Sequence, residues 1–462
     1  MELDPVLLSR VQFAWVIALH ILLPAFTIGL AAYVAVLELL HLATGRKVFL
    51  TTSKYWIRIF AVSFGMGVKS GIVMPFQLGT NWSRYSDATA NVLGPLFAYE
   101  GLMAFFLEAA FLGVLLFGRK LVPPWVHCFA AVMVAVGTLF SSFWIVAANS
   151  WMHTPAGFEV IAGRFFPVNW TEIIFNPSFP YRLTHTVVAF FITTAFVVIG
   201  VAAYHLRKGK AQEESRTMQR MGFGLLTLLV PLQIFLGDLH GLNTLEYQAA
   251  KIAAIEANWE TRAHMPLLLF ALPDEAAQSN AMEIAIPELG SLILRHDREG
   301  VVRGLKDWPR ADRPPVAIPF FAFRIMVGIG VLMLAIVACS WWLWLRGRLF
   351  ETAWFQRLCI ACSPIGFAAV IAGWVTTEVG RQPWVVYGLM RTGDSVSPSL
   401  TGGDVLVSLI VYVVAYVAIF GTGTLFIVRL IKAGPAAAAE AETRHSSRPS
   451  RPFSAAGEGK PS

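Results

Sequence analysis

Seven ionisable side chains fall inside apolar runs that hydrocarbon would surround: His20, Lys69, Glu100, Glu108, His185, Arg324 and Glu378. On insertion scales each costs about 2.5–3.5 kcal/mol, so each needs a partner, an aqueous cavity or a task. Snorkelling at a helix end, or a hydrogen bond to a neighbouring helix, accounts for any one of them equally well. By type, histidine, glutamate and methionine facing a bundle interior are ligands for a metal or a haem iron. A His/Met pair suits a six-coordinate electron-transfer haem, whereas a single His or carboxylate leaves one face open for oxygen. Met326 alone is ordinary core filler. In Phe-Arg-Ile-Met (323–326) it stands two residues from a cation suited to a haem propionate. Trp374 and Glu378 share a helix face at i,i+4, Arg381 follows within a turn, and Pro383 stops the helix.

Two further groupings concern protons and a redox head group. Glu100 and Glu108 are eight residues apart, about 12 Å of helical rise and about 80° of rotation. They can line one side of a pore at two depths, as a proton relay requires. The plainer reading makes one of them a structural partner of Lys69. Lys251-Ile-Ala-Ala-Ile-Glu256-Ala-Asn-Trp259-Glu260 places a cation, carboxylates and an aromatic ring on an Ala-rich helix. Such a helix can bind and deprotonate a quinol, but by itself it is more often an ordinary solvated amphipathic helix.

The elements that must position these groups are membrane spans. The chain has 462 residues, 56% of them hydrophobic and 14% charged, with a mean hydropathy of +0.61. Soluble domains carry roughly 25% charged residues, so the class is an all-α polytopic membrane protein. Apolar runs give spans at 11–37, 59–83, 183–206, 221–237, 325–345, 358–377 and 405–428, plus two between 95 and 149 divided by Pro123-Pro124. That makes nine transmembrane helices. Lys and Arg gather after spans one, three, five and seven and in the tail. The positive-inside rule then places the N-terminus outside and the C-terminus in the cytoplasm. A connection at 238–319 lies outside and is too long for that rule; the rest of 1–433 is the transmembrane domain. The tail, 434–462, reads as disordered. An acidic start without a basic n-region predicts a retained first helix instead of a cleaved signal.

Composition also excludes several functions. The net charge of +7 is scattered in short clusters without stacking aromatics, so nucleic acid is not a partner. Four cysteines in apolar settings make no disulfide framework. Cys359 and Cys362 form a C-x-x-C followed by Ser363, so covalent haem attachment is absent. With the topology above, His20, Glu100, His185, Arg324, Met326 and Glu378 all fall in the outer half of the membrane, beside the long outer loop. Snorkelling would scatter them over both faces, so one shared site is the better account. A proton-coupled secondary transporter is the alternative; midplane sites and internal repeats, its usual marks, are missing. A structural subunit whose partner holds the haems is a second alternative.

At these residues the sequence resembles subunit I of the cytochrome bd-type quinol oxidases. The resemblance is carried by Gly-Thr-Asn-Trp (79–82), Glu-Gly-Leu-Met-Ala-Phe-Phe-Leu-Glu (100–108), Leu-Thr-His-Thr (183–186) and Lys-Ile-Ala-Ala-Ile-Glu-Ala (251–257). Phe-Arg-Ile-Met (323–326) and Gly-Trp-x-x-x-Glu-x-Gly-Arg-Gln-Pro-Trp (373–384) complete it. It implies that His185 and Met326 are the axial pair of haem b558, with Arg324 tuning it. It implies that His20 and Glu378 ligate, in an order the family varies, the high-spin haems b595 and d. Trp374 resembles the tryptophan among the haems. Glu100 and Glu108 match haem-proximal and proton-path carboxylates, and Lys251 and Glu256 match quinol-loop residues. The loop lacks a long C-terminal insertion, which resembles the short-loop, cyanide-insensitive subgroup, where haem b can stand in for haem d.

The resemblance further implies a terminal oxidase of a bacterial inner membrane, a ubiquinol or menaquinol:oxygen oxidoreductase. Quinol gives its protons to the outside, oxygen is reduced with cytoplasmic protons, and proton motive force arises without pumping. The implied partners are a subunit II and a small single-helix accessory subunit.

Overall fold

In the computed structural model the described residues run from 3 to 446, with side chains described for all but 103–105 and 436–446. Asp4 starts the first helix. Its carboxylate accepts the Val6 N–H at 2.9 Å, and Pro5 follows at the first helical position. α1 (Pro5–Leu22) bends at Leu23 into α2 (Pro24–Thr44), because Pro24 cannot donate to the preceding turn. His20 sits beside that bend.

α3 (Lys47–Thr80) is the second crossing; α4 (Ser83–Tyr99) and α5 (Phe106–Phe117) together form the third, and α6 (Pro124–His153) the fourth. After a short α7 (Trp170–Ile174) come α8 (Phe179–Arg207) and α9 (Gln212–Tyr247). The long loop holds α10 (Ala249–Ile255) and α11 (Leu289–Arg295). α12 (Ala317–Leu345), then α13 (Ala353–Ala361) continued by α14 (Ile365–Val379), then α15 (Gly402–Ser446) complete the bundle. Nine crossings among the described residues are long and apolar enough to span a membrane, in agreement with the all-α polytopic expectation.

α8 is the hub. Of its apolar stretch 67% is buried, against 11% for α15, so α8 runs through the centre and α15 along the rim. The largest core cluster packs Leu30, Leu37, Trp56, Phe60, Val134 and Val198 from α2, α3, α6 and α8.

The connections after even-numbered crossings meet at one end of the bundle, here named the loop end. The Ser397 N–H donates to the Asn81 carbonyl at 3.0 Å and the Tyr387 N–H to that of Met152 at 2.9 Å. Arg391 pairs with Asp312. Hairpins β1 (Phe158–Ile161)/β2 (Arg164–Pro167) and β3 (Leu267–Asp274)/β4 (Ser279–Ile286) cover this end.

Two boundaries differ from expectation. α9 continues ten residues past Gly237, held by Asn243, which is buried and donates to the Pro177 carbonyl at 3.1 Å. The connection from α9 to α12 therefore begins at Gln248. At the other terminus helical backbone resumes after a left-handed break at Gly434 (φ 80°) and runs to Ser446 through an Ala-rich stretch. The remainder of the expected tail lies outside the described residues.

Candidate functional site

Glu378 ends α14 at the centre of a polar cluster drawn from five elements. Its Oε2 accepts from Arg381 Nη2 at 2.5 Å, the i,i+3 pairing the sequence suggested. Its Oε1 accepts from Asn149 Nδ2 at 3.0 Å and from His153 Nε2 at 3.2 Å. With Nε2–H so engaged, His153 Nδ1 is left to accept from Lys251 Nζ at 3.1 Å. Arg182 Nη1, from the start of α8, donates to Asn149 Oδ1 at 2.9 Å. An unbroken line of hydrogen bonds thus joins loop residue Lys251 through His153 to Glu378. Burial, then the Arg182 and Arg381 charges, pushes the Lys251 ammonium well below the ordinary lysine range.

The loop residues do not face water as a solvated helix would. Every residue of α10 from Ala250 to Ile255 is buried. α10 ends at Ile255, so Glu256 is its cap and Trp259 and Glu260 lie beyond it, a correction to the continuous helix expected over 251–260. Lys251 and Glu256 also point apart. Glu256 accepts from Arg324 Nη2 at 2.9 Å, while Arg324 Nε donates to the Leu268 carbonyl at 2.8 Å and Nη1 to that of Ile255 at 2.6 Å. Its guanidinium stacks over Phe320 at 3.7 Å. Arg324 therefore anchors the loop to α12. Trp259 is buried and bonds Asn280, whereas Glu260 is exposed and pairs with Lys306.

The three neutral ligand-type side chains each face a glycine. A Cβ added at Gly71 would lie 3.3 Å from His20 Cε1, one at Gly237 3.3 Å from His185 Cε1, and one at Gly373 3.0 Å from Met326 Sδ. His20 Nδ1 lies 2.8 Å from Ser70 Oγ, whose own proton goes to the Gly67 carbonyl. His20 therefore donates through Nδ1 and keeps Nε2 free, the arrangement of a ligating imidazole. His185 Nε2 meets Gln233 at 3.2 Å, and its buried Nδ1 has no hydrogen-bond partner among the described residues. Trp374 packs with Ile21, Ala25, Phe190 and Val370, between the His20 and His185 helices.

These features fit haem. Buried polar atoms are rarely left unpaired, yet Arg182 Nε, Arg381 Nε and Nη1 and His185 Nδ1 all are, among the described residues. Arg182 and Arg381 set two cations, with Lys251 beside them, around the single carboxylate of Glu378. A group bearing propionates balances that excess.

Glu100 and Glu108 depart from the expected geometry. Residues Glu100–Phe105 form a π-helical turn, so arithmetic for a continuous α-helix does not apply between them. Glu100 accepts from Ser141 Oγ at 2.8 Å. Glu108 is buried, close enough to Glu100 for their charges to interact. Lys69 is exposed on α3 and makes no ion pair among the described residues, so the plainer Lys69 pairing is not formed.

Sequence reasoning missed His153, Asn149, Arg182 and Gln248, whose amide donates to the His153 carbonyl at 2.6 Å. The available signal was Asn149 and His153 at i,i+4 on the loop-end turn of a span.

With the geometry in place, similarity to known proteins is informative. The family profile described as cytochrome bd terminal oxidase subunit I matches residues 8–435. "Cytochrome bd ubiquinol oxidase subunit 1" of Bacillus subtilis (strain 168) is 35% identical over 443 residues, covering 94% of both chains. "Cytochrome bd-II ubiquinol oxidase subunit 1" of Escherichia coli (strain K12) is 30% identical over 504 residues, covering 94% of this chain and 98% of that one. A solved structure, of the bd oxidase from Geobacillus thermodenitrificans, superposes with a TM-score of 0.87 at 29% identity, covering 94% of this chain and all of that one. Nine apolar crossings, a loop hydrogen-bonded into a ligand-rich end and these matches agree: the chain belongs to the cytochrome bd terminal oxidase subunit I family.

Proposed function

We propose that the chain takes quinol at its loop end and draws protons for oxygen reduction from the opposite end, so that charge separates without pumping. The observation that carries this reading is the line Lys251–His153–Glu378, which links the loop to a haem-ligand candidate. His185 and Met326 would hold haem b558, and His20 and Glu378 the two high-spin haems. The third of these is haem d, or haem b as in the short-loop subgroup. When bound, the haems supply electron transfer and the reduction of oxygen. The chain's own residues do the rest. Glu256, fixed by Arg324, and Lys251, beside His153, orient the quinol head group and accept its protons within the buried part of the loop. Glu108 and Glu100 hold protons on the way in, Glu100 with Ser141 as its hydrogen-bond donor. Arg182 and Arg381 hold carboxylate charge beside Glu378, and Trp374 fills the space between the His20 and His185 helices.

The same reading puts the N-terminus and loop outside a bacterial cytoplasmic membrane and the C-terminus inside, with 238–319 as the quinol-binding part of a 1–433 haem domain. A subunit II, and a small single-helix subunit, complete the oxidase. Proteoliposomes of the complex given quinol and oxygen test the sidedness. A single proton released at the loop side per electron is expected. Release of two per electron, or release at the opposite side, contradicts it.

A further inference from the structure

Far from the loop end, a second buried polar cluster joins four elements. Glu38, near the end of α2, is 3% exposed, and His127, near the start of α6, 1%. Glu38 accepts from Ser53 Oγ of α3 and from both Nη atoms of Arg119, Nη1 at 3.3 Å. His127 Nδ1 lies 3.3 Å from Glu38 Oε2, and its Nε2 lies 3.0 Å from the Leu115 carbonyl of α5.

Both imidazole nitrogens therefore face acceptors. A carbonyl can only accept, so Nε2 carries a proton. A neutral ring would then turn a lone pair toward the carboxylate, which is repulsive. The contact therefore holds a shared proton between Nδ1 and Oε2, with Arg119 on the other side of the carboxylate. Among the described residues, the charged and titratable groups beside the pair are Arg119 and, next along α6, Cys128.

The position of this protonated pair is what gives it a role. Leu115 lies seven residues from Glu108 on α5, about 10.5 Å along the axis and within about 20° of the same face. On α6, His127 shares a face with Ala131, Val134, Thr138 and Ser141 at alternating steps of four and three. Ser141 is the Glu100 donor. The α5/α6 seam thus carries His127 at one end, Glu108 between, and Glu100 with Ser141 about 21 Å from His127.

We propose that Glu38 and His127 are the proton-loading pair for oxygen reduction, at the end of the α5/α6 seam opposite the loop. This rests on the oxidase reading above. In each transfer the N–H bond at His127 Nε2, the nitrogen that faces α5, breaks as an O–H bond forms on water entering the α5/α6 seam, and a water O–H proton ends on the Glu108 carboxylate. The imidazole then takes a proton from solvent at this end, and no electron moves. Glu38 positions and charges the imidazole.

The test is His127→Gln in the oxidase assembled with subunit II. Quinol-driven haem reduction without oxygen is measured separately from proton uptake when the reduced enzyme meets oxygen. Proton uptake is expected to slow at least about tenfold, the scale of a lost acid–base group, with haem spectrum and quinol-driven reduction unchanged. Unchanged proton uptake overturns the proposal, and so does equal slowing of both phases, which a merely structural role gives. Should that variant fail to assemble, Ser53→Ala removes one hydrogen bond to Glu38 and no charge. A slowing of proton uptake alone is again expected, and an unchanged rate overturns the pair. Wild-type protein that consumes no oxygen with quinol defeats the oxidase reading itself, before any variant is made.

Discussion

Arg324 and Glu256 meet at 2.9 Å, both largely withdrawn from water, across the joint between the loop and α12. Removing one partner of a buried, hydrogen-bonded charge pair costs about 2–5 kcal/mol, much of it from the charge left behind. Glu256→Gln is therefore expected to raise the quinol KM by about tenfold or more. It should also speed proteolytic cleavage in the β3/β4 hairpin, whose Leu268 carbonyl Arg324 holds. Combining it with Arg324→Gln should restore the protease resistance in part. An unchanged KM together with unchanged proteolysis would remove the ion pair from the account.

Lys251 gives a pH prediction. Its folded pKa lies well below the ordinary lysine value, through burial first and the neighbouring arginines next. Between that depressed value and about 10.4 the unfolded chain binds more protons than the folded one, so stability rises with pH across this window. Below it the penalty is constant. Lys251→Met removes the titration. The thermal Tm of the wild type should therefore climb relative to Lys251→Met as pH is raised toward 10 in detergent. A constant difference between the two proteins across that range would contradict the burial of an ionisable Lys251.

How much of this was legible follows from where each residue sits. His20, His185, Glu108 and Glu378 stand out because ionisable residues are few in their apolar runs, and the structure puts each in a bundle interior or at a polar cluster. His153 and Arg182 occupy span ends, where polar residues are ordinary, so only the fold reveals that they converge on Glu378. Glu38, His127 and Arg119 hide for the same reason, at the opposite end among other basic residues. The π-turn at Glu100–Phe105 is invisible because an α-helix suits the same sequence. Asp238 read as the start of a loop because it is charged, yet it is an exposed residue inside a helix that runs on to Tyr247.

Glu108 separates chemistry from docking. Glu108→Gln keeps the size and removes the ionisable proton, so oxygen reduction should slow at least about tenfold while the quinol KM stays unchanged. Oxygen electrode kinetics over a range of quinol concentrations decide it. Equal turnover would end the relay role, and a raised KM at unchanged kcat would move Glu108 to the quinol side.

The most direct measurement is the reduced-minus-oxidised visible spectrum of the oxidase complex, wild type beside Met326→Leu, followed by haem extraction. The account expects haem b bands in the wild type, with a red-shifted chlorin band if haem d fills the third site. In Met326→Leu the low-spin haem signal should vanish while the high-spin signals persist. A wild type with no haem, or a Met326→Leu spectrum identical to it, would contradict the assignment of this bundle as the haem-bearing core of the oxidase.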